Sequence, residues 1–227
     1  MIGIIAAMEE EMFLLKEALE IEEEEIICGT SFYLGKLNSQ EIVLSQCGVG
    51  KVNSSIAATI MISHFCCDFI LNTGIAGGIT GVDTKDIVIA KSLMYYDVDA
   101  KAFGYAYGQV PGMPVQYHSS IDYIVKIKTI LSKQHLSYKE AVVYSGDSFV
   151  NRKELLKNMD ISIPCIAEME GASIAQVCVK SGVDFVVLRY ISDIVGKDSQ
   201  IEDYKTFESE MARRSALVCL AILKNME

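Results

Sequence analysis

The chain has 227 residues, 51% of them hydrophobic, and its 20 basic against 30 acidic side chains give a formal charge of −10. That length supplies the core of one large α/β domain or two small ones. No apolar run approaches the ~18 residues of a membrane span, and an acidic balance without a basic stripe excludes nucleic acid as a partner.

The opening MIGIIAAMEEEM lacks the basic flank of a secretion signal. The seven cysteines form no CxxC pair and lie mostly in apolar runs, so they read as core filler in a reducing compartment. His64, His118 and His135 are scattered, without zinc-like spacing. The expectation is a soluble, cytoplasmic protein.

Residues 1–7 (MIGIIAA) predict a buried strand. Residues 9–19 predict a helix, with Met8, Met12, Leu15 and Leu19 along its apolar stripe. At about 100° per residue, Glu10 and Glu17 fall opposite that stripe and Glu11 at its edge. Glu11 is either an acid favoured in a first helical turn or a group aimed inward for a purpose. Residues 21–27, with glutamates at 22–25, predict a solvated acidic connector. Residues 31–37 and 41–47 predict a hairpin turning at Asn38-Ser39. GVGKVN (48–53) resembles a phosphate loop superficially. Ser45 stands where its first glycine belongs, however, and Val52 follows Lys51, so a nucleoside triphosphate reading fails. A glycine turn into a helix at 54–65 remains, with backbone donors that can face a ligand.

A short strand at 68–72 runs into TGIAGGI (73–79), read as a turn whose glycines either flex or admit something bound. Another strand is predicted at 86–90. The irregular, aromatic stretch 95–114 is long enough to be functional or interfacial. A helix at 119–131 and a strand at 141–145 precede GDSFVN, where Phe149 is either core or a stacking surface. In AEMEGAS (167–173), Glu168 and Glu170 fall between an apolar run and a helix over 171–180 that carries Ile174, Ala175, Cys178 and Val179 on one stripe. Acids wedged there need a partner, either a polar ligand or the helix's own amides. The buried-strand pattern at 184–191 has Arg189 as its only interior charge. It ends at Ser192-Asp193, where open α/β sheets form their ligand crevice. A polar loop at 195–203 leads to a final helix over 204–224, apolar at Phe207, Met211, Leu217, Val218 and Leu220. Without repeats or linkers, residues 1–227 read as one domain.

The series GIIAAMEEE, CGVGKVN, NTGIAGG, FGYAYGQVPG, SGDSFVN, AEMEGAS and RYISD resembles, in order and nearly end to end, the 5′-methylthioadenosine/S-adenosylhomocysteine nucleosidases of the nucleoside phosphorylase superfamily. The resemblance implies a three-layer α/β/α fold around a central mixed sheet, without a cofactor or metal. It implies hydrolysis of the N-glycosidic bond of such nucleosides, with Glu11 activating water and Asp193 giving a proton to purine N7. Glu170 and the backbone of Met169 would hold the ribose hydroxyls, Phe149 would stack on adenine, and main-chain groups of Val150 would read its edge. Arg189, Ser192 and Glu168 would support the ribose, water and acid, with Val49, Met8 and Tyr204 as apolar wall. Phe103, Tyr105, Pro111 and Met113 resemble the segment that a neighbouring subunit lends to cover the 5′ pocket, which implies a homodimer. Ile75 departs from the pattern: close relatives often carry a serine there that positions the water, and an isoleucine side chain forms no hydrogen bond. Two alternatives stand beside hydrolysis. One is a phosphorylase of the same fold, disfavoured because the four arginines (Arg152, Arg189, Arg213, Arg214) all lie beyond residue 150. The other is a nucleoside-binding protein with weakened catalysis.

Overall fold

Alternating side chains give the central strands two buried faces. In β1 (Ile2–Ala6), Ile2, Ile4 and Ala6 enter one core and Ile5 the other. β5 (Phe69–Asn72) and β11 (Asp184–Ile194) divide their side chains in the same way. Three helices cover the first face: α1 (Glu9–Ala18), α3 (Ile121–Lys133) and α5 (Gln200–Leu223). Two cover the second, α2 (Lys51–Ser63) and α4 (Gly171–Ser181). The computed structural model describes residues 1–226 with the exception of the Phe207 side chain, so the expectation that Phe207 is apolar core lies outside the described residues.

The remaining strands are β2 (Glu20–Ile27), β3 (Thr30–Leu37), β4 (Gln40–Gln46), β6 (Ile75–Thr80), β7 (Ile87–Tyr95), β8 (Tyr117–His118), β9 (Tyr138–Ser145) and β10 (Cys165–Glu168). They form one mixed sheet in the order β2-β3-β4-β1-β5-β11-β6-β10-β9-β7-β8. An additional antiparallel pairing, Leu188 opposite Ile89, joins β11 to β7 and closes β11, β6, β10, β9 and β7 into a ring. The expected three layers around a mixed sheet are present, and half of that sheet curls on itself.

Several sequence expectations need correction. The acidic stretch 21–27 is a strand, β2, paired antiparallel with β3 at the sheet edge. An edge strand wetted on both sides carries the composition of a loop. TGIAGGI is mostly strand β6 rather than a turn. β11 runs past Ser192-Asp193 to Ile194, with a register shift between Ile191 and Asp193. α2 begins at Lys51 and α5 at Gln200, each earlier than the apolar stripe indicates. Val179 and Leu217 are exposed; in α5 the expected Met211 and Leu220 are buried, joined by Ala216, Cys219 and Leu223.

Candidate active site

Glu11 sits in the first turn of α1, directly after β1, and is only 3% exposed. Its Oε2 accepts the N–H of Ala7 (2.9 Å) and of Met8 (3.1 Å), and its Oε1 accepts the N–H of Ile75 (3.0 Å). Burial pushes its pKa up, while the Arg189 charge and these three backbone donors pull it down. The carboxyl therefore stands at the meeting of β1, α1 and β6. Gly74 makes this approach possible, because a Cβ there would lie 2.6 Å from Glu11 Oε1. A larger residue would push the carboxylate away.

The second acidic group forms where β10 meets α4. Glu168 accepts the Ser145 hydroxyl on Oε1, and on Oε2 the Arg189 guanidinium and the N–H groups of Glu170 (3.0 Å) and Gly171 (2.8 Å). Glu170 takes the N–H of Gly50 at 2.9 Å and lies 3.9 Å from Arg189. Gly50 immediately precedes α2 with φ of +103°, a conformation that favours glycine, and its N–H faces Glu170. The glycine turn after β4 thus presents its donor to a carboxylate rather than to phosphate. Burial, then the Glu168 charge, raises the Glu170 pKa. Arg189 is buried from β11 and also bonds Asn72 Oδ1 (2.6 Å) and the Leu188 carbonyl (2.9 Å). Burial works against its charge, and the nearby Glu168, Glu170 and Glu11 outweigh that and raise its pKa.

Asp193 follows the bulge in β11, a device that re-aims a side chain at a strand end. It is 1% exposed. Ser192 Oγ donates to its Oδ1 (2.6 Å) and Gln200 Nε2 to its Oδ2 (2.7 Å). Burial raises the Asp193 pKa, and these two donors offset part of the rise. Phe149 is 43% exposed, with its ring edge-on to Tyr204 at 5.2 Å between centroids.

These elements together bound a single cleft. Glu11, Glu170 and Asp193, 182 positions apart along the chain (193 − 11), all line it, with Glu168 and Ser192 beside them. Its apolar wall comes from Met8, Val49, Ile75, Phe149, Met169 and Tyr204. Arg189 stands behind the carboxylates, and buried Val150 borders a smaller adjoining cavity. Among the described residues, Phe103, Tyr105, Pro111 and Met113 do not line the cleft of their own chain. Phe103 is 83% exposed. Ile75 joins the wall through its side chain and reaches Glu11 through its backbone N–H. Sequence reasoning missed Ser145 and Asn72, which fix Glu168 and Arg189, and Gln200, hidden in what reads as a polar loop. Their partners are remote in sequence, so no local signal marks them. Among the described residues, no group of three or more His, Cys, Asp or Glu is arranged to hold a metal, and no helix is long and apolar enough to cross a membrane.

Residues 1–224 of this three-layer α/β/α chain, with its buried carboxylates around an apolar-walled cleft, match the phosphorylase superfamily. A 5′-methylthioadenosine/S-adenosylhomocysteine nucleosidase of a Geobacillus species (strain WCH70) is 38% identical over 231 residues, covering 100% of this chain and 99% of that protein. The S-adenosylhomocysteine nucleosidase of Streptococcus pyogenes, solved in complex with 5-methylthiotubericidin, superposes with a TM-score of 0.92 at 36% identity, covering 100% of this chain and 97% of that one. A futalosine hydrolase mutant of Helicobacter pylori superposes at 0.91 with 32% identity, covering 98% and 97%. The chain belongs to the 5′-methylthioadenosine/S-adenosylhomocysteine nucleosidase family of the phosphorylase superfamily.

Proposed function

We propose that the protein uses water to cleave the N-glycosidic bond of 5′-methylthioadenosine and S-adenosylhomocysteine, releasing adenine and the ribosyl thioether. The observation that carries this reading is the convergence of Glu11, Glu170 and Asp193 on one cleft. Breaking the bond leaves electron density on the purine and positive charge on the sugar, so rate comes from stabilising that separation. Asp193 gives a proton to purine N7, and Glu11 aligns and deprotonates water at the anomeric carbon. Burial raises the pKa of both acids, and what distinguishes them is their donors: three backbone N–H groups and the Arg189 charge act on Glu11, two side-chain donors on Asp193. Glu170 and the backbone of Met169 hold the ribose hydroxyls, with Glu168 and Arg189 fixing Glu170 and Ser192 fixing Asp193. Phe149 stacks on the base, main-chain groups of Val150 meet its edge, and Met8, Val49, Ile75 and Tyr204 form the wall around the sugar and its 5′ substituent. With isoleucine at position 75, the water is held by Glu11 and other polar groups.

Water rather than phosphate is the acceptor, because among the described residues the cleft lining carries no lysine or arginine. Arg189 is already occupied by Glu168, Asn72 and a carbonyl. A phosphate dianion beside four carboxylates and no free cation would meet net repulsion.

The whole chain forms a single domain around its one continuous sheet and works in the cytoplasm as a homodimer. Exposed Phe103 and Pro111, with half-buried Tyr105 and Met113, cover the 5′ end of the neighbouring subunit's cleft. A broad, largely apolar depression beside the cleft, between Val52 and Ile56 of α2 and the loop residues Val98 and Val110, supports that assembly. Incubation with methylthioadenosine in phosphate-free buffer tests the reaction. Adenine release without phosphate is expected, and release that depends on added phosphate refutes hydrolysis.

A further inference from the structure

Gln200 opens α5 and is 2% exposed, an unusual position for an amide side chain within a polar stretch. Its Nε2 donates to Asp193 Oδ2 at 2.7 Å and to the Val150 carbonyl at 2.9 Å, and its Oε1 accepts the Gly196 N–H at 2.9 Å. One flat NH₂ group thus spends both protons on two acceptors. It borders a small cavity that shares Gly77, Phe149, Ala167, Glu168, Met169 and Asp193 with the main cleft.

Two consequences follow from this geometry, given the proposed reaction. The exocyclic amine of a 6-aminopurine is also a flat NH₂ with two in-plane donors, so the Gln200 amide and the base compete for the same pair of acceptors. In addition, the N–H that Gln200 donates to Asp193 Oδ2 favours the ionised carboxylate over the acid. The Ser192 hydroxyl, by contrast, has a second acceptor in the Ala76 carbonyl at 3.2 Å and is free to turn away from Oδ1.

We propose that Gln200 is a latch that occupies the exocyclic-amine position of the empty site and keeps Asp193 ionised until the base displaces it, whereupon Asp193 becomes a proton donor. The inference rests on the nucleosidase reading above and assigns Gln200 a role in setting base specificity and the timing of proton transfer. The hydrogen bond from Gln200 is one of the two that offset the rise in the Asp193 pKa, so its withdrawal moves Asp193 in the direction an acid requires. Other charged or titratable groups around Asp193 are Glu11 from α1, Glu168 at the end of β10, Glu170 before α4, and Asp203 and Tyr204 from α5. All of them stay unchanged when only Gln200 is replaced.

The test uses Gln200→Met, which keeps length and volume without donors, and Gln200→Ala. The pH profile of kcat/KM reports groups of the free enzyme and that of kcat the groups of the complex. Asp193 must be protonated to act, so it governs an alkaline limb. In both variants the alkaline limb of kcat/KM for methylthioadenosine moves to higher pH, while that of kcat keeps its parental position. Adenine, titrated calorimetrically, binds the variants about 3–10-fold more tightly, in proportion to one hydrogen-bonded group that no longer needs displacement. Equal movement of both limbs, or weaker adenine binding, overturns the latch and makes Gln200 a fixed support of Asp193. Failure of the parent protein to release adenine would instead refute the nucleosidase reading, and the adenine titration still decides between latch and support.

Discussion

Replacing Arg189 with methionine removes the guanidinium that meets Glu168 and lies 3.9 Å from Glu170. Arg189 and Glu168 are both buried, and the variant leaves Glu168, Glu170 and Glu11 sharing a cavity without the cation that pairs with them. Breaking a buried ion pair from one side costs about 3–5 kcal/mol. For a chain of this size, 1 kcal/mol corresponds to about 2–4 °C, so the melting temperature should fall by about 6–20 °C. The loss also depends on pH, with a sign fixed by the carboxyls. Arg189 pulls the pKa of both Glu11 and Glu170 down, so its removal raises them further above the ordinary 4.5. Between that value and the raised one, the folded state binds more protons than the unfolded state, and stability falls as pH rises. Thermal melts should therefore show a larger deficit at pH 8 than at pH 5, where part of the carboxyl charge is already neutralised. Adding Glu168→Gln should recover part of the deficit, because the stranded charge is then gone. A fall of under about 3 °C, or an equal fall at both pH values, would refute the claim that Arg189 holds these carboxylates together.

Three further expectations concern catalysis and assembly. Glu11→Gln should lower turnover of methylthioadenosine about 10²–10⁴-fold and lower the melting temperature slightly, since an amide NH₂ must then face a backbone N–H; retained turnover would remove Glu11 as the base. Gly74→Ala puts a methyl 2.6 Å from Glu11 Oε1, so kcat should drop about 10²-fold in steady-state assays although the substituted residue carries no chemistry. Phe103→Ala should raise KM about tenfold with kcat nearly retained, and light scattering should give the mass of two chains for the parent protein; a monomeric, fully active parent would dismiss the lent segment.

The sequence by itself determined the layers and the family. Alternation in residues 2–6, 69–72 and 184–191 announces strands with two buried faces, and the spacing of Met12, Leu15 and Leu19 announces a covering helix. The ordered motifs give the family, and it is their resemblance that marks out Glu11, Glu170 and Asp193; by local pattern alone Glu11 and Glu170 read equally as acids at a helix start. The edge strand β2 was not legible, because its glutamates face solvent on both sides and its structure comes from pairing with β3. Nor was the ring made by β7 meeting β11, since Leu188 and Ile89 carry no local sign of each other. Tertiary structure alone decided that Gly50 serves a carboxylate and that Ser145 and Asn72 anchor Glu168 and Arg189. It likewise brought Gln200 onto Asp193. Periodicity records which face of an element is buried, whereas a hydrogen bond between distant residues depends on distances and angles that exist only after the sheet has assembled.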